Sequence, residues 1–572
     1  GNNTDLFPQD ATETIDTDSD TVGDNGDNCP LIANTDQINT DANFENGDTF
    51  GDACDADIDG DDVLNAVDDF PLDPEESIDE DEDLIGDNKD LDLTSSNNQV
   101  ENSISLTRLL ETGRATRFIG PQANSNFSYI NNKVASAGDV NNDGFDDMLV
   151  SIPGYKQDLA KDHYTGIVYL FFGGQAPWPQ TIDLTDIPNT VPHVIFEKQS
   201  ADDSHTFLGF SLAALGDVNG DTIDDFAISA YKANSSTLGN AGAVHIVYGR
   251  EKGTWLTDAG DDHTISYASL KADYALSFYG DAADANIGFT LANVGDFNGD
   301  GVADIAIGQP RFTTEETFLV GRMYILFGGS QFNQPEGTTV DIANIPETQR
   351  LRITGSRDEV GGQLGFWILP LGNFANDADN THDILAGAAS LNKYNVIFGQ
   401  KNAPANIELT SPMTSDHGFV IDGMGSAFDD EAVGNLWVDG SNVQEILLVR
   451  DIGTYIIKGG VGNWPATIDI NNLTEEYGIT VPFSVTNYTS LAILPDSNQD
   501  GLDEPLITSL NTSDDIGRVL KIEETANWIA ESSTPLSVNS SIQNIISDVV
   551  GSRITDLKVL GDMNSDGKVE FV

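Results

Sequence analysis

Residues 139–147 read Asp139-Val-Asn141-Asn-Asp143-Gly-Phe-Asp-Asp147, and four further segments repeat this frame. They begin at positions 217, 296, 496 and 562. Side-chain oxygens at positions 1, 3, 5 and 9 of a tight loop suit Ca²⁺, a hard cation that takes six to eight oxygen ligands. The frame therefore predicts five calcium-binding loops, and a polar turn that holds no ion is the alternative for any single copy.

The candidate ligands are the side chains at positions 1, 3, 5 and 9 and the backbone carbonyl of position 7. The side chains are Asp139, Asn141, Asp143, Asp147; Asp217, Asn219, Asp221, Asp225; Asp296, Asn298, Asp300, Asp304; Asp496, Asn498, Asp500, Glu504; and Asp562, Asn564, Asp566, Glu570. The carbonyls belong to Phe145, Ile223, Val302, Leu502 and Lys568. Position 6 is Gly, which permits a sharp turn, in four copies and Thr222 in the second.

The chain of 572 residues is strongly acidic, with 94 acidic and 26 basic side chains and a net charge of −68. Such a chain repels nucleic acid and anionic membrane surfaces, so we expect no nucleic-acid partner. Bound divalent cations would relieve its self-repulsion. No apolar run approaches 18 residues, so we expect no membrane-spanning helix. The sequence has neither a signal peptide nor an initiator Met, which suggests a mature or excised fragment whose extracellular or cell-surface location is inferred from chemistry.

Residues 1–100 form a region with its own chemistry, because they hold 31 acidic residues against one base, Lys89. Three sets share the spacing 1, 3, 5, 9, 12, namely Asp16, Asp18, Asp20, Asp24, Asp27; Asp57, Asp59, Asp61, Asn65, Asp68; and Asp79, Asp81, Asp83, Asp87, Asp90. An interrupted set contains Asp41, Asn43, Glu45, Asp52 and Asp55. A disordered acidic linker is one interpretation of such a composition. Repetition in phase favours a metal-binding arm instead.

The stretches DTDSDTVGDNGDNCP, GDACDADIDGDDVLNAVDDFPLDP and DEDEDLIGDNKD resemble thrombospondin type 3 repeats over about residues 14–92. The resemblance implies an extended chain wrapped around many Ca²⁺ ions, with few helices or strands. It also implies that Cys29 and Cys54, the two cysteines of the chain, form a disulfide in an oxidising compartment, whereas in a cytosolic protein they would be free thiols. Position 6, usually Gly in the family, is Thr21, Asp62 or Leu84 here.

Residues 101–572 show short β-branched and aromatic runs between Gly, Asn and Asp turns, the pattern of an all-β protein. Each acidic loop is followed by an apolar exit strand, a third strand, a linker and a fourth strand. In the first unit these are Asp147–Ser151, Gly166–Phe172, Thr181–Leu184 and His193–Phe196. Four strands per repeated unit predict the blades of a β-propeller.

These units resemble FG-GAP repeats, the blades of the integrin α-subunit propeller. Five intact loops and two degenerate units, around Asp383 and Glu445, add up to seven blades. The resemblance implies Ca²⁺ in the intact loops on one rim, and none in the two degenerate ones. The predicted fold is therefore a seven-bladed β-propeller at 101–572 after an extended, irregular calcium-binding arm at 1–100.

The first and last segments of the propeller region bear on how the ring of blades is closed. Ile104–Thr107 and Thr116–Ile119 match the linker and the fourth strand of a blade, and they precede the first loop. The last blade is incomplete at Val572, since its third strand is missing from the sequence. Either the natural chain continues, or another subunit donates a strand and a filament results.

No catalytic motif is present. H-E-x-x-H, Gly-x-Ser-x-Gly, phosphate-loop and dinucleotide patterns are all missing from the sequence. We expect His245 to be packed in a strand and His382 to face solvent. Trp178, Trp255 and Trp464 follow third strands and are expected to pack on blade edges, with stacking on sugar rings as the alternative.

The leading functional prediction is a secreted or surface-displayed, calcium-stabilised adhesion or structural protein with no enzymatic activity. Two other classes stay open. One is the binding module of a larger extracellular enzyme, and the other is an integrin-like receptor domain for a protein or polysaccharide ligand.

Overall fold

The structure is a computed structural model that divides into two compact units, Gly1–Ala115 and Thr116–Val572. It describes residues 6, 12, 15–42, 49–61, 63–65, 68, 77, 103–105, 115–121, 134–157, 164–174, 178–197, 205–260, 262–357, 361–376, 380–388, 393–401, 403–409, 413–414, 416–423, 430–436, 443–450, 453–481, 488–495, 502–511, 516–522, 542–546, 559–561, 563 and 570–571.

The first unit is built from turns. Residues 15–42 and 49–61 contain bends and turns with no helix or strand, and Ser103–Ser105 is a short strand. Large apolar side chains stay in water: Leu31 is 78% exposed and Phe50 is 55% exposed. Because little apolar surface is buried here, the hydrophobic effect contributes little to holding these described turns together.

The second unit is mostly antiparallel β-sheet, as the alternating strand and turn signals predicted. Sheets 1 to 6 each contain four consecutive antiparallel strands. The strands are Val134–Gly138, Asp147–Ile152, Ile167–Phe171, His193–Glu197 (sheet 1); Leu208–Gly216, Asp225–Ala230, Ala243–Val247, Ala275–Tyr279 (sheet 2); Leu291–Gly295, Asp304–Gln309, Arg322–Leu326, Arg350–Thr354 (sheet 3); Leu364–Gly372, Asp383–Ala388, Lys393–Ile397, Gly418–Asp422 (sheet 4); Asp430–Gly434, Glu445–Arg450, Gly453–Ile457, Gly478–Val481 (sheet 5); and Tyr488–Leu494, Glu504–Asn511, Ile516–Ile522, Ile542–Ile546 (sheet 6).

Sheets 1 to 4 each gain a fifth strand from the next repeat. The linker between the third and fourth strands of one repeat pairs in parallel with the fourth strand of the preceding sheet. These linker strands are Thr264–Ser266 on sheet 1, Thr339–Asp341 on sheet 2, Asn406–Glu408 on sheet 3 and Thr467–Asp469 on sheet 4. The sequence pattern marked the linkers as connections, and their pairing with the neighbouring sheet is a feature it did not predict.

The first strands of successive sheets contact one another from sheet 1 through sheet 6. A further strand pair, Val559–Gly561 with Glu570–Phe571, contacts the first strands of both sheet 6 and sheet 1 through Val559–Gly561. Arg117–Ile119 pairs in parallel with the linker strand Thr181–Asp183 of the first repeat. Several four- and five-stranded sheets arranged in this way are consistent with a β-propeller.

The core of the second unit lies between neighbouring sheets. Phe196 of sheet 1 and Phe226 of sheet 2 are fully buried in one cluster, and each such side chain stabilises the fold by about 2 kcal/mol. The strands Asp147–Ile152 and Ile167–Phe171 are buried on both faces. This explains why they read as continuous apolar runs rather than as alternating ones.

In the part of the chain that the structure describes, helical structure is limited to short connections. One eight-residue helix, Lys252–Ala259, follows the third strand of sheet 2, and Tyr267–Ser269 runs into a wider helical turn at Leu270–Tyr274. Two 3₁₀ turns, Ile342–Asn344 and Ile470–Asn472, follow linker strands. Among the described residues, none of these helices has the length and apolarity to cross a membrane.

Candidate metal centres

Two carboxylate triads lie in the first unit, at the first three ligand positions of two predicted sets. In each triad the carboxylate oxygens all lie within 4.8 Å of one another. The triads are Asp16, Asp18, Asp20 and Asp57, Asp59, Asp61. Three carboxylates this close repel one another unless a cation lies between them, so each triad fits a hard divalent ion.

Asp59 gives the most direct evidence for a cation-binding site in these turns. It is 0% exposed, and neither carboxylate oxygen has a hydrogen-bond partner among the described residues. Burial, reinforced by the neighbouring carboxylates of Asp61 and Asp68, raises the pKa of Asp59, and the nearby backbone N–H of Asp61 offsets only part of that effect. A buried carboxylate without donors is unfavourable, and a Ca²⁺ ion would satisfy both oxygens.

In the turns that carry these triads, the backbone N–H of position 2 donates to the side chain of position 9. The backbone N–H of Thr17 donates to Asp24 Oδ1 at 2.7 Å, and the Thr17 hydroxyl donates to Asp24 Oδ2 at 2.7 Å. In the second set the N–H of Ile58 donates to Asn65 Oδ1 at 2.9 Å. These bonds leave the oxygens at positions 1, 3 and 5 on the inside of the turn.

In the interrupted set, the residues at the ligand positions differ from those that the acidic residues of the sequence suggested. The backbone N–H of Thr40 donates to Asp52 Oδ1 at 2.7 Å, as Thr17 does to Asp24. Position 1 is therefore Asn39, and Asp41 takes position 3 instead of position 1. Asn43 and Glu45 lie outside the described residues, as does the whole third set of Asp79, Asp81, Asp83, Asp87 and Asp90.

A disulfide joins Cys29 and Cys54, whose Cα atoms are 5.7 Å apart. Two further predicted ligands lie close to these cysteines, and each accepts a backbone N–H in its own turn. Asp27 Oδ1 accepts from Cys29 at 2.7 Å, and Asp55 Oδ1 accepts from Asp57 at 2.9 Å.

In the second unit, loop 1 (139–147), loop 2 (217–225) and loop 3 (296–304) connect the first two strands of sheets 1, 2 and 3. In loop 2 the carboxylate of Asp217 accepts the N–H groups of Asp221 at 3.0 Å and Thr222 at 2.8 Å. Asp221 Oδ1 accepts the N–H of Ile223 at 2.9 Å. Loops 1 and 3 repeat these three contacts, so the loops converge on one compact shape.

Position 6 of each described loop adopts a left-handed backbone. The φ angles are +88° at Gly144, +77° at Thr222 and +88° at Gly301. A side chain at this conformation costs about 1 kcal/mol, so Thr222 is a strained substitute for Gly.

The position-9 carboxylates Asp147, Asp225 and Asp304 are fully buried. One oxygen accepts the position-2 N–H, and the other accepts the N–H of the Gly after the third strand. For Asp225 these donors are Val218 at 3.1 Å and Gly249 at 2.8 Å. Burial raises the pKa of Asp147 to about 8 and of Asp225 and Asp304 to about 7, and the N–H donors offset only part of that effect.

The two degenerate repeats keep this hydrogen bonding although their ligand sets are broken. Asp383 accepts the N–H groups of Ala375 at 2.7 Å and Gly399 at 2.9 Å, and Glu445 accepts that of Leu436 at 2.8 Å. Position 9 is therefore a structural position in the repeats of sheets 1 to 5, and a candidate ligand only where the rest of the ligand set is intact.

The fourth and fifth predicted loops are described only in part. Asp496, Asn498, Asp500, Asp562, Asn564, Asp566 and Lys568 lie outside the described residues. Leu502 is buried, and Glu504 and Glu570 each begin a strand. Their calcium binding stays a prediction.

Position 8 has a role that the motif gave no reason to expect. The carboxylate of Asp224, in loop 2, accepts the backbone N–H of Asp139, in loop 1, at 3.1 Å. Asp503 in sheet 6 accepts the N–H of Asn435 in sheet 5 at 2.8 Å. A side chain of one repeat thus fixes the loop of the repeat before it.

Several histidines of the described residues pack against neighbouring groups. His245 is fully buried and contacts Ser277 Oγ at 2.9 Å, as expected for a packed residue. His382 is half-buried against Gly295, so the expectation that it faces solvent is wrong. His193 and His263 stack with ring centroids 4.7 Å apart, a pairing that their separation in sequence concealed.

The three tryptophans pack on aromatic neighbours. Trp178 lies 5.7 Å from Phe171, Trp255 lies 6.4 Å from Phe172, and Trp464 stacks 4.5 Å from Phe419, measured between ring centroids. Trp255 is fully buried. These contacts agree with packing on the sheets.

Comparison with known proteins identifies two kinds of repeat in this chain. The FG-GAP repeat family matches residues 132–171, 208–247 and 288–321, which include loops 1 to 3. The thrombospondin type 3 repeat family matches residues 10–37 and 43–77, which include both triads. Both resemblances inferred from the sequence are confirmed.

Individual relatives match at moderate identity. Phosphatidylinositol-glycan-specific phospholipase D of Bos taurus is 25% identical over 73% of this chain, and the match covers 46% of that protein. Integrin alpha-4 of Xenopus laevis is 30% identical over 30% of this chain and 14% of its own length. Integrin alpha-2 of Bos taurus is 30% identical over 35% of this chain and 14% of its own length. The chain thus spans less than half the length of these relatives.

Proposed function

We propose that this chain of FG-GAP and thrombospondin type 3 repeats is a calcium-stabilised adhesion or structural protein displayed outside the cell. The observation that carries the proposal is Asp59, a fully buried carboxylate with no hydrogen-bond donor in the described residues, inside a triad of carboxylates. Repeats of both families typically bind calcium and occur in extracellular proteins, which supports the same role. Calcium would be held by the arm triads and by the acidic loops of the second unit.

A seven-bladed propeller is the architecture we propose for the second unit. Six four-stranded sheets and the 559–571 strand pair supply seven first strands that contact one another in sequence. Arg117–Ile119 pairs with Thr181–Asp183 in the way that fourth strands pair with linkers elsewhere, so it fits the fourth strand of the seventh blade. A rigid ring of this kind suits a scaffold that presents loops to a ligand.

The similarity to phosphatidylinositol-glycan-specific phospholipase D supports a second candidate, a module associated with an extracellular enzyme. The match extends over most of this chain and under half of that protein. We propose that the chain itself does not catalyse. An assay for release of glycan-anchored proteins from membranes tests this: we expect no release by the purified chain at any calcium concentration, and release would favour the enzyme.

Thermal unfolding of the purified chain in excess EGTA and in millimolar Ca²⁺ tests the calcium role. We expect removal of Ca²⁺ to lower the melting temperature by more than about 10 °C, because several ions would bind only the folded state. Millimolar Mg²⁺ is the control, and it should restore little of the loss since Mg²⁺ demands a smaller octahedral shell. An identical melting curve with and without Ca²⁺ would refute the proposal.

A further inference from the structure

Loop 1 differs from loops 2 and 3 at the position-5 carboxylate. In loop 2 the Oδ2 atom of Asp221 accepts an N–H from the amide of Asn219 at 3.0 Å, and loop 3 repeats this contact at the same distance. In loop 1 the Oδ2 atom of Asp143 instead accepts from the ammonium of Lys252 at 2.8 Å. A lysine of the second repeat has thus taken the place of an amide of the loop itself.

The displaced amide of Asn141 turns inward. Its Nδ2 group donates to both oxygens of Asp147, at 2.9 and 3.0 Å. Its Oδ1 atom is buried and has no hydrogen-bond partner in the part of the chain that the structure describes, and the residue is only 1% exposed. A buried amide oxygen without a donor is unfavourable, and a cation in the loop is one group that would satisfy it.

The backbone holds Lys252 in this position. Its N–H donates to the carbonyl of Asn141 at 3.2 Å, at the start of the helix Lys252–Ala259. The carbonyl of Val140 accepts from the backbone N–H of Arg250 and from the indole N–H of Trp255, each at 3.0 Å. The lysine is therefore presented to loop 1 by a segment anchored on both sides of it.

We propose that Lys252 is a tethered cation that competes with Ca²⁺ for loop 1. This inference rests on the proposed calcium binding and adds a regulation to it. When Ca²⁺ enters, Lys252 leaves Asp143, and the Oδ1 atom of Asn141 becomes a ligand of the ion. Loop 1 then takes Ca²⁺ less tightly than loops 2 and 3, and its occupancy changes one contact between the first and second sheets.

Lys401 supplies a matched control. It follows the third strand of sheet 4 and places its aliphatic carbons against Gly299 of loop 3. Among the described residues it forms no ion pair with the carboxylates of loop 3. Its replacement removes one positive charge from the second unit without removing a contact to loop 1, so it should have little effect on the affinity of loop 1.

Terbium luminescence of the full chain measures the competition. Tb³⁺ substitutes for Ca²⁺ and emits when a nearby indole is excited, and Trp255 hydrogen bonds to loop 1. The loop 1 signal is the emission lost in the Asp139→Ala variant, and titration with Tb³⁺ gives the midpoint of that signal. We expect Lys252→Met to lower that midpoint about three- to tenfold, which corresponds to an ion pair that is partly exposed. Lys252→Arg, which keeps the charge, and Lys401→Met should leave it unchanged.

Two negative outcomes are distinct. A loop 1 signal whose midpoint is the same in Lys252→Met and in the unaltered chain overturns the competition and leaves the calcium role intact. A loop 1 signal that is missing from every variant, Lys252→Met included, overturns calcium binding at this loop and the competition with it. Circular dichroism of each variant verifies that the sheets are formed.

Discussion

The turns of the first unit and the loops of the second unit share one device and differ in what surrounds it. In both, an oxygen at position 9 accepts the N–H of position 2, as Asp24 does from Thr17 and Asp225 does from Val218. In the second unit this carboxylate is fully buried, and its other oxygen accepts the N–H of Gly249. In the first unit the neighbours include exposed apolar side chains such as Leu31. We therefore expect the same spacing to depend on metal to different degrees in the two units.

Removal of calcium should separate the two units most clearly. We expect residues 15–42 and 49–61 to lose all protection from hydrogen exchange in EGTA, because these described turns bury too little apolar surface to replace the ions. The strand Ile167–Phe171, buried on both faces, should keep most of its protection. Exchange followed by mass spectrometry after peptide digestion measures both regions in one sample. Equal loss of protection in both regions would contradict the difference inferred here.

The substitution Asp383→Asn tests position 9 in a repeat whose ligand set is broken. The new amide keeps one acceptor oxygen and turns its NH₂ group toward one of the two donors, Ala375 or Gly399, so we expect a loss of about 2–3 kcal/mol in the free energy of unfolding. The loss should be the same with and without Ca²⁺. Asp300→Asn is the control: it should matter mainly when Ca²⁺ is present. Urea unfolding gives both values, and a calcium-dependent effect of Asp383→Asn would show that this repeat binds metal.

The buried carboxylates predict a pH dependence that calcium abolishes. Burial raises the pKa of Asp147 to about 8 in the folded chain, against about 3.9 in an unfolded one. The folded state therefore binds more protons between these values, so its stability falls as pH rises from about 4 to 8. Without Ca²⁺ we expect the melting temperature to drop by several degrees from pH 5 to 8.5. Saturating Ca²⁺ favours the ionised form and should remove the drop, and Asp147→Asn should make it smaller.

The smallest expected effect is at position 6. Thr222→Gly removes the strain of a left-handed backbone but increases the conformational entropy of the unfolded chain. We therefore expect the free energy of unfolding to rise by only about 0.5 kcal/mol. Gly301→Thr at the same place in loop 3 should cost about 1 kcal/mol. Paired urea unfolding curves measure both changes, and a loss of stability in Thr222→Gly would show that the threonine side chain has a role of its own.

Local patterns in the sequence were sufficient for features that depend on local chemistry. The third strand at Ile167–Phe171 and the loops after Gly138 and Gly295 lie where spacing and turn residues placed them. The triad Asp57, Asp59 and Asp61 also follows directly from its spacing, because alternate residues of a tight turn point to the same side.

Contacts between repeats were not predictable in this way. The pairing of Thr264–Ser266 with sheet 1, the stacking of His193 on His263 and the bond from Asp139 to Asp224 each join residues far apart in sequence. The ligand set beginning at Asn39 could not be predicted, because an insertion separates Asn39 from Asp52. Only the hydrogen bond from Thr40 to Asp52 shows which residues occupy positions 2 and 9.

The linker strands restrict how such a chain can gain or lose whole repeats by duplication or deletion. Each one completes the sheet before its own, so a cut between two sheets would strip one sheet of its outermost strand and leave a strand without its template. A duplication or deletion preserves every pairing only when it spans a whole period of the repeat, from one strand to the equivalent strand of another repeat. The unit of strand pairing is therefore offset from the four-stranded sheet, because its outermost strand belongs to the next repeat.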